Sequence, residues 1–273
     1  MQFDSLPQPP VDMVMPYGPQ MIFGFGNVVP IAIALWFCFR YLRSHGSAFG
    51  FLFLMAGALT TLNEPIVDVL GMCWFPSHGT YPLFEAWGVK IPWWMLPVYT
   101  WYVGGQAFYT FRRFEDGITT RALFRLYLTF AVVNAFLETP GLWLGVYAYY
   151  GDQPFQFLKF PYWWAIVNPL MPMTMAALVF RVRPLLTGVR QLLIVPMGLM
   201  AAAMTNGAVA APVWVTLNSG AGLVATHIAA VISLGFGLMV AYGLSQLVAT
   251  DAVLSKTVRD RVTAPGSVRA ATH

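Results

Sequence analysis

Seven apolar runs, each long enough to cross a bilayer, constrain this chain more than any other feature. They cover 21–42, 49–71, 93–111, 123–147, 162–181, 191–214 and 221–249. About 20 mostly apolar residues make a transmembrane helix. With 58% of its 273 residues hydrophobic and 10% charged, the chain does not read as a soluble domain. The fold expected is an all-α membrane protein of seven transmembrane helices.

The basic residues set the expected orientation. Arg40 and Arg43 follow the first run. Arg112, Arg113, Arg121 and Arg125 separate the third and fourth, and Arg181, Arg183 and Arg190 the fifth and sixth. Lys256, Arg259, Arg261 and Arg269 lie beyond the seventh, leaving only Lys90 and Lys159 on the opposite side. The positive-inside rule then places the N-terminus outside and the C-terminus in the cytoplasm, and a multi-pass protein of the plasma membrane is expected. Residues 1–20 read as an extracytoplasmic arm, 21–249 as the helical domain and 250–273 as a disordered cytoplasmic tail. The net charge of +4 reflects these anchors and offers no patch for nucleic acid. Cys38 and Cys73 fall at opposite faces and cannot pair.

Inside the second run stands Thr60-Thr61-Leu62-Asn63-Glu64-Pro65-Ile66-Val67-Asp68. Glu64 and Asp68 are four apart, so a helix puts both on one face, with Thr61 a turn earlier. An ionised carboxylate at mid-membrane costs about 2.5–3.5 kcal/mol on insertion scales. Such acids therefore face inward, either as functional groups or as an interhelical hydrogen-bond staple. Pro65 is expected to free a carbonyl one turn before it. The fourth run carries Glu138 with Asn134, Gly141 and Gly145 on its face, followed by Pro140 in sequence. The third presents Tyr99, Tyr102, Gln106 and Tyr109 at spacings of three and four. The fifth has Trp164 and Asn168, the sixth Asn206 and the seventh His227.

Alternating helix direction brings these residues to one depth. Glu64, Glu138 and Asn206 lie two-thirds along outward runs, whereas Asn168 and His227 lie near the outer ends of inward ones. One polar chamber in the outer half of the membrane follows, roofed by aromatic loops. The loop 73–92 is long for a membrane hairpin, and reads either as a lid or as an aromatic belt. An echo joins the hairpins. Glu64-Pro65 precedes Pro92-Trp93-Trp94, and Glu138-Thr139-Pro140 precedes Pro161-Tyr162-Trp163-Trp164. A duplicated two-helix unit, the second and third helices repeated as the fourth and fifth, is one reading of it.

The residue inventory narrows the chemistry. No Lys lies in a span, which excludes a retinal Schiff base, and one intramembrane His excludes bis-His haem ligation. No phosphate loop, nucleophile elbow or metal-ligand spacing occurs, so no metal and no cofactor is expected. Carboxyls among aromatic rings suit alkene or epoxide protonation and the carbocations that follow. The combination of about seven helices with Glu64 and a second membrane acid, Glu138, resembles the small integral-membrane terpenoid cyclases of meroterpenoid pathways. The stretch Glu138 to Tyr150, ending Gly-x-Tyr-x-Tyr, is similar to membrane carotenoid hydratases. The cyclase resemblance implies a metal-independent enzyme taking a hydrophobic isoprenoid from the bilayer. Glu64, Glu138, Asp68 and His227 would then be the acid–base groups. Asn63, Trp94, Tyr99, Tyr102, Asn134, Trp164, Asn168 and Asn206 would bind substrate. The rival classes are a proton- or cation-coupled transporter and a non-catalytic lipid- or quinone-binding subunit.

Overall fold

The computed structural model describes residues 6–263. Six helices among the described residues are long and apolar enough to cross a membrane. These are α1 (Tyr17–His45), α2 (Phe49–Gly71), α4 (Thr120–Leu144), α5 (Trp163–Leu185), α6 (Gly188–Val209) and α8 (Gly222–Val248). The chain thus has the build of a multi-pass helical membrane protein. The third apolar run forms α3, helical over 95–115, but its Tyr, Gln and Arg content keeps it out of the strongly apolar class. A short α7 (Ala211–Leu217) continues the line of α6 past a break at Ala210. The segment expected to be disordered begins as α9 (Thr250–Thr263). Asp251 accepts hydrogen bonds from Thr120 and Ala252 N–H groups, which ties α9 to the start of α4. Residues 264–273 and 1–5 of the expected tail and arm lie outside the described residues.

Helices α2 and α5 run through the centre. Helix α2 packs on α1, α3 and α6, and α5 on α3, α6 and α8. Small residues set the closest crossing. A Cβ on Gly57 would stand 2.3 Å from Gly104 N, and one on Gly104 would stand 2.4 Å from Phe53 O. The α2 and α3 backbones therefore touch directly, as membrane helices do where side chains permit.

Neither central helix is regular. A 3-10 turn, Thr61–Asn63, interrupts α2 just before Glu64 and Pro65. The carbonyl expected to be freed by Pro65, that of Thr61, accepts from Glu64 N–H across this turn and is not a spare acceptor. In α3, Thr100–Gly105 forms a π-helical turn. It takes more residues than an α turn, so the count of three and four drifts. Tyr99, Tyr102 and Gln106 stay buried, whereas Tyr109 is 51% exposed and leaves their face. Helix α5 breaks at Asn168-Pro169, where proline restricts the residue before it.

The loops at the Glu64 and Glu138 helix ends fold into a cap. After α2, Met72 takes a left-handed conformation and leads into β1 (Cys73–Trp74). A hairpin follows, β2 (Pro82–Ala86) with β3 (Val89–Pro92). After α4, Gly145 is left-handed and β4 (Ala148–Tyr149) follows, then the hairpin of β5 (Gln156–Phe157) with β6 (Phe160–Pro161). Both hairpins turn on two residues of positive φ, Trp87-Gly88 and Leu158-Lys159, the geometry of tight primed turns. Strands β1 and β4 pair with each other, Cys73 opposite Tyr149 and Trp74 opposite Ala148. The two hairpin units thus share one order of elements. The acids are not in one register, however, because Glu64 stands eight positions before its cap and Glu138 seven.

Candidate functional site

Beneath this cap lies a cavity of about 70 Å³. Glu64, Asp68 and Glu138 line it together, with Trp94, Tyr99, Trp164, Asn168 and Asn206. Three acids from two helices therefore share one space, although Glu64 and Glu138 are 74 positions apart. Cys73, Phe75, Tyr147 and Tyr149 complete the outer wall.

Each acid has a different set of partners. Tyr99 Oη donates to Glu64 Oε2 from the turn of α3 just before its π segment. Asp68 is 1% exposed, and its Oδ2 has no hydrogen-bond partner. Glu138 Oε2 accepts from Tyr147 Oη at 2.7 Å, and Oε1 from Asn134 Nδ2 at 3.3 Å. Asn168 Nδ2 lies 3.4 Å from Asn134 Oδ1, so α5 supports the α4 pair through its broken turn. Unmet polar atoms cost free energy in a dry interior, and here they gather at the cavity wall. Besides Asp68 Oδ2 they include Asn206 Oδ1, Trp94 Nε1 and Trp164 Nε1.

Tyr147 reaches Glu138 because Gly141 is bare. A Cβ there would stand 2.5 Å from the Tyr147 ring. Aromatic packing fixes the rest of the cap. Trp94 lies 5.4 Å from Phe23 and 5.6 Å from Phe75 between ring centres, and Trp164 stacks on Trp163 at 4.1 Å. Burial and the neighbouring Asp68 push the Cys73 thiol well above its ordinary range. It is a wall residue held towards its thiol form.

His227 does not reach the cavity. Its Nε2 accepts from Phe155 N–H at 3.2 Å, and its Nδ1 lies 2.8 Å from Leu223 O. With Nδ1 protonated both contacts are satisfied, so the ring anchors the loop before β5. Helix α8 turns this face to the loop before β5, so the expected place of His227 in the chamber is not met. Asn63 also points away, donating to Leu199 O of α6 at 3.4 Å. Tyr102 is buried beside the site without lining it, with its hydroxyl towards Asn134. Asn134 stands behind Glu138 rather than in the wall.

Of the outer-wall residues, Tyr147 and Tyr149 are the two tyrosines of the Gly-x-Tyr-x-Tyr ending and Phe75 lies in the aromatic loop 73–92, whereas nothing in the sequence marks Cys73 as a site residue. Gly141, three residues after Glu138, was the signal for the approach of Tyr147. Among the described residues no three His, Cys, Asp or Glu side chains are grouped to hold a metal ion.

Fold and site together define a multi-pass helical protein with a small carboxyl chamber under a β-hairpin cap. Comparison with protein-family models, curated proteins and solved structures returns no match.

Proposed function

We propose that this chain is a metal-independent, membrane-embedded terpenoid cyclase that starts carbocation chemistry with a carboxyl proton. The observation carrying this reading is the convergence of Glu64, Asp68 and Glu138 on one aromatic-walled cavity. Differential hydrogen bonding divides the labour. Glu138 accepts at both oxygens, from Tyr147 and Asn134, as a proton acceptor should. Glu64 keeps one oxygen beyond the Tyr99 bond, and Asp68 has a free Oδ2. In this scheme the O–H of Glu64 or Asp68 protonates an isoprenoid alkene or epoxide. A second alkene attacks the cation and closes a ring, and Glu138 removes a proton to leave a new double bond. The reaction is an isomerisation and needs no co-reactant. The faces of Trp94, Tyr99 and Trp164 stabilise positive charge during it.

Hydration is the second reading. Asp68 Oδ2, Trp94 Nε1 and Trp164 Nε1 lack partners at the wall, the kind of groups that hold a water for attack on the cation. The topology proposed with this function has seven spans, α3 included, in a plasma membrane. The N-terminus is outside and the C-terminus cytoplasmic, on the 13-to-2 distribution of Lys and Arg.

The test uses membranes bearing wild type, Glu64→Gln and Glu138→Gln, fed a polyprenyl epoxide or an acyclic carotenoid. General acid–base groups contribute about 10²–10⁴-fold, so each amide should lower turnover by that range. Full turnover in both variants would remove the acids from the chemistry. Proton movement across vesicles without isoprenoid conversion would establish a transporter instead.

A further inference from the structure

The chamber is too small for a whole isoprenoid. An apolar cavity of about 150 Å³ takes one benzene ring, and the chamber has about 70 Å³. The reacting end of a chain fits there, and the rest needs another place. A second hollow, of about 390 Å³, lies between α2 and the α6–α7 pair. Val67, Tyr99 and Asn206 line both spaces, so the two are neighbours through one shared wall.

The walls of this groove are mostly apolar, with Thr60, Asn63, Tyr99 and Asn206 as the polar residues among them. Ile66 and Leu70 come from α2, Met171 from α5, Ala203 and Gly207 from α6, and Trp214 from α7. Ile66, on the groove lining, is 40% exposed, so the groove opens to the outside of the helix bundle. None of its lining residues is charged. A phospholipid phosphate would find no cation there, and two acyl chains would exceed the volume. On the scale of a 150 Å³ cavity that holds benzene, about 25 Å³ per heavy atom, chamber and groove together take a ligand of roughly 15–20 heavy atoms. Two buried polar atoms on the groove lining have no partner, Asn206 Oδ1 and Trp214 Nε1. They form an acceptor and a donor for the hydroxyl or epoxide end of an entering chain.

We infer that this groove is a lateral port and tail site for a single uncharged polyprenyl chain of about farnesyl length. The chain enters from the bilayer between α2 and α6, passes Asn206 and Tyr99 head first, and leaves its tail against Met171 and Gly207. The inference rests on the reading of the chamber as the acid centre, but its test does not need turnover.

The full chain in phosphatidylcholine nanodiscs is labelled with a diazirine analogue of farnesol, and the labelled peptides are mapped. Label is expected on 63–71 and 203–214, and unlabelled farnesol should compete it away. Gly207 has nothing within 4 Å of a Cβ position, so Gly207→Trp fills the groove without a clash at its root. It should cut labelling by about tenfold or more, a loss of about 1.4 kcal/mol in binding. Gly235→Trp, equally open but on α8, is the matched control and should label as wild type does. Label elsewhere, label unaffected by Gly207→Trp, or label that farnesol does not displace would overturn the port. The last outcome marks an ordinary lipid position. If Glu64→Gln and Glu138→Gln both turn over normally while the groove labels as expected, the acid mechanism fails and the port stands.

Discussion

Replacing Gly104 by Ala tests how the two halves of the site are brought together. The new Cβ would stand 2.4 Å from Phe53 O and 2.8 Å from Leu54 Cα, where ordinary contact begins at 3.4 Å. Both obstacles are backbone, so no side chain can swing aside. Helices α2 and α3 must separate, and overpacking of this kind costs about 1–3 kcal/mol, occasionally more. Ala in place of Gly returns up to about 1 kcal/mol of helix propensity. The next residue provides the control. A Cβ on Gly105 has its nearest neighbour at 3.6 Å, an ordinary contact with Ala34. Gly105→Ala keeps the propensity gain without the clash and should be neutral or stabilised by up to about 1 kcal/mol. Gly104→Ala should fall below it by about 1–3 kcal/mol, read as midpoint shifts in SDS titrations of the detergent-solubilised protein. The same separation pulls Tyr99 from Glu64, which face each other across this crossing. Turnover should therefore drop in Gly104→Ala and not in Gly105→Ala. Equal stability of the two variants would refute a backbone contact between α2 and α3.

Three further outcomes are expected. Gly141→Ala places a Cβ 2.5 Å from Tyr147 Cε1. It should reproduce the turnover loss of Tyr147→Phe, about 1–3 kcal/mol for one buried hydrogen bond, and unchanged turnover in both would detach Tyr147 from the chemistry. His227→Ala should leave turnover intact while exposing the 150–162 loop to limited proteolysis, with about 0.5–1.5 kcal/mol lost from that anchor; a large kinetic defect would return His227 to the site. The backbone N–H and hydroxyl of Thr120 hold the Asp251 carboxyl below its ordinary range. A lowered folded value means that its contribution is present above the unfolded value and is lost as pH falls through the folded one. Hydrogen exchange at the start of α4 should accelerate in that acid window in wild type, and Asp251→Asn should show no such step.

The existence of the apolar helices, with the ends of some of them, and the presence of three inward acids were legible in the residues alone. Hydropathy is a local property, and α2 covers the expected 49–71 while α8 differs from 221–249 by one residue at each end. Counting residues along each run brought Glu64, Glu138, Asn168 and Asn206 together, and the four-residue spacing added Asp68; all five line one cavity. Rotation about a helix axis was not legible. His227 faces Phe155, and Tyr109 turns out past the π-helical turn. Depth needs only a count of residues, whereas facing depends on breaks such as Thr61–Asn63 and Asn168-Pro169, which shift every later side chain. The β1–β4 pairing, the Gly57–Gly104 crossing and the groove beside the chamber join segments far apart in sequence. They depend on which surfaces meet once the helices pack, and only the tertiary structure decides that.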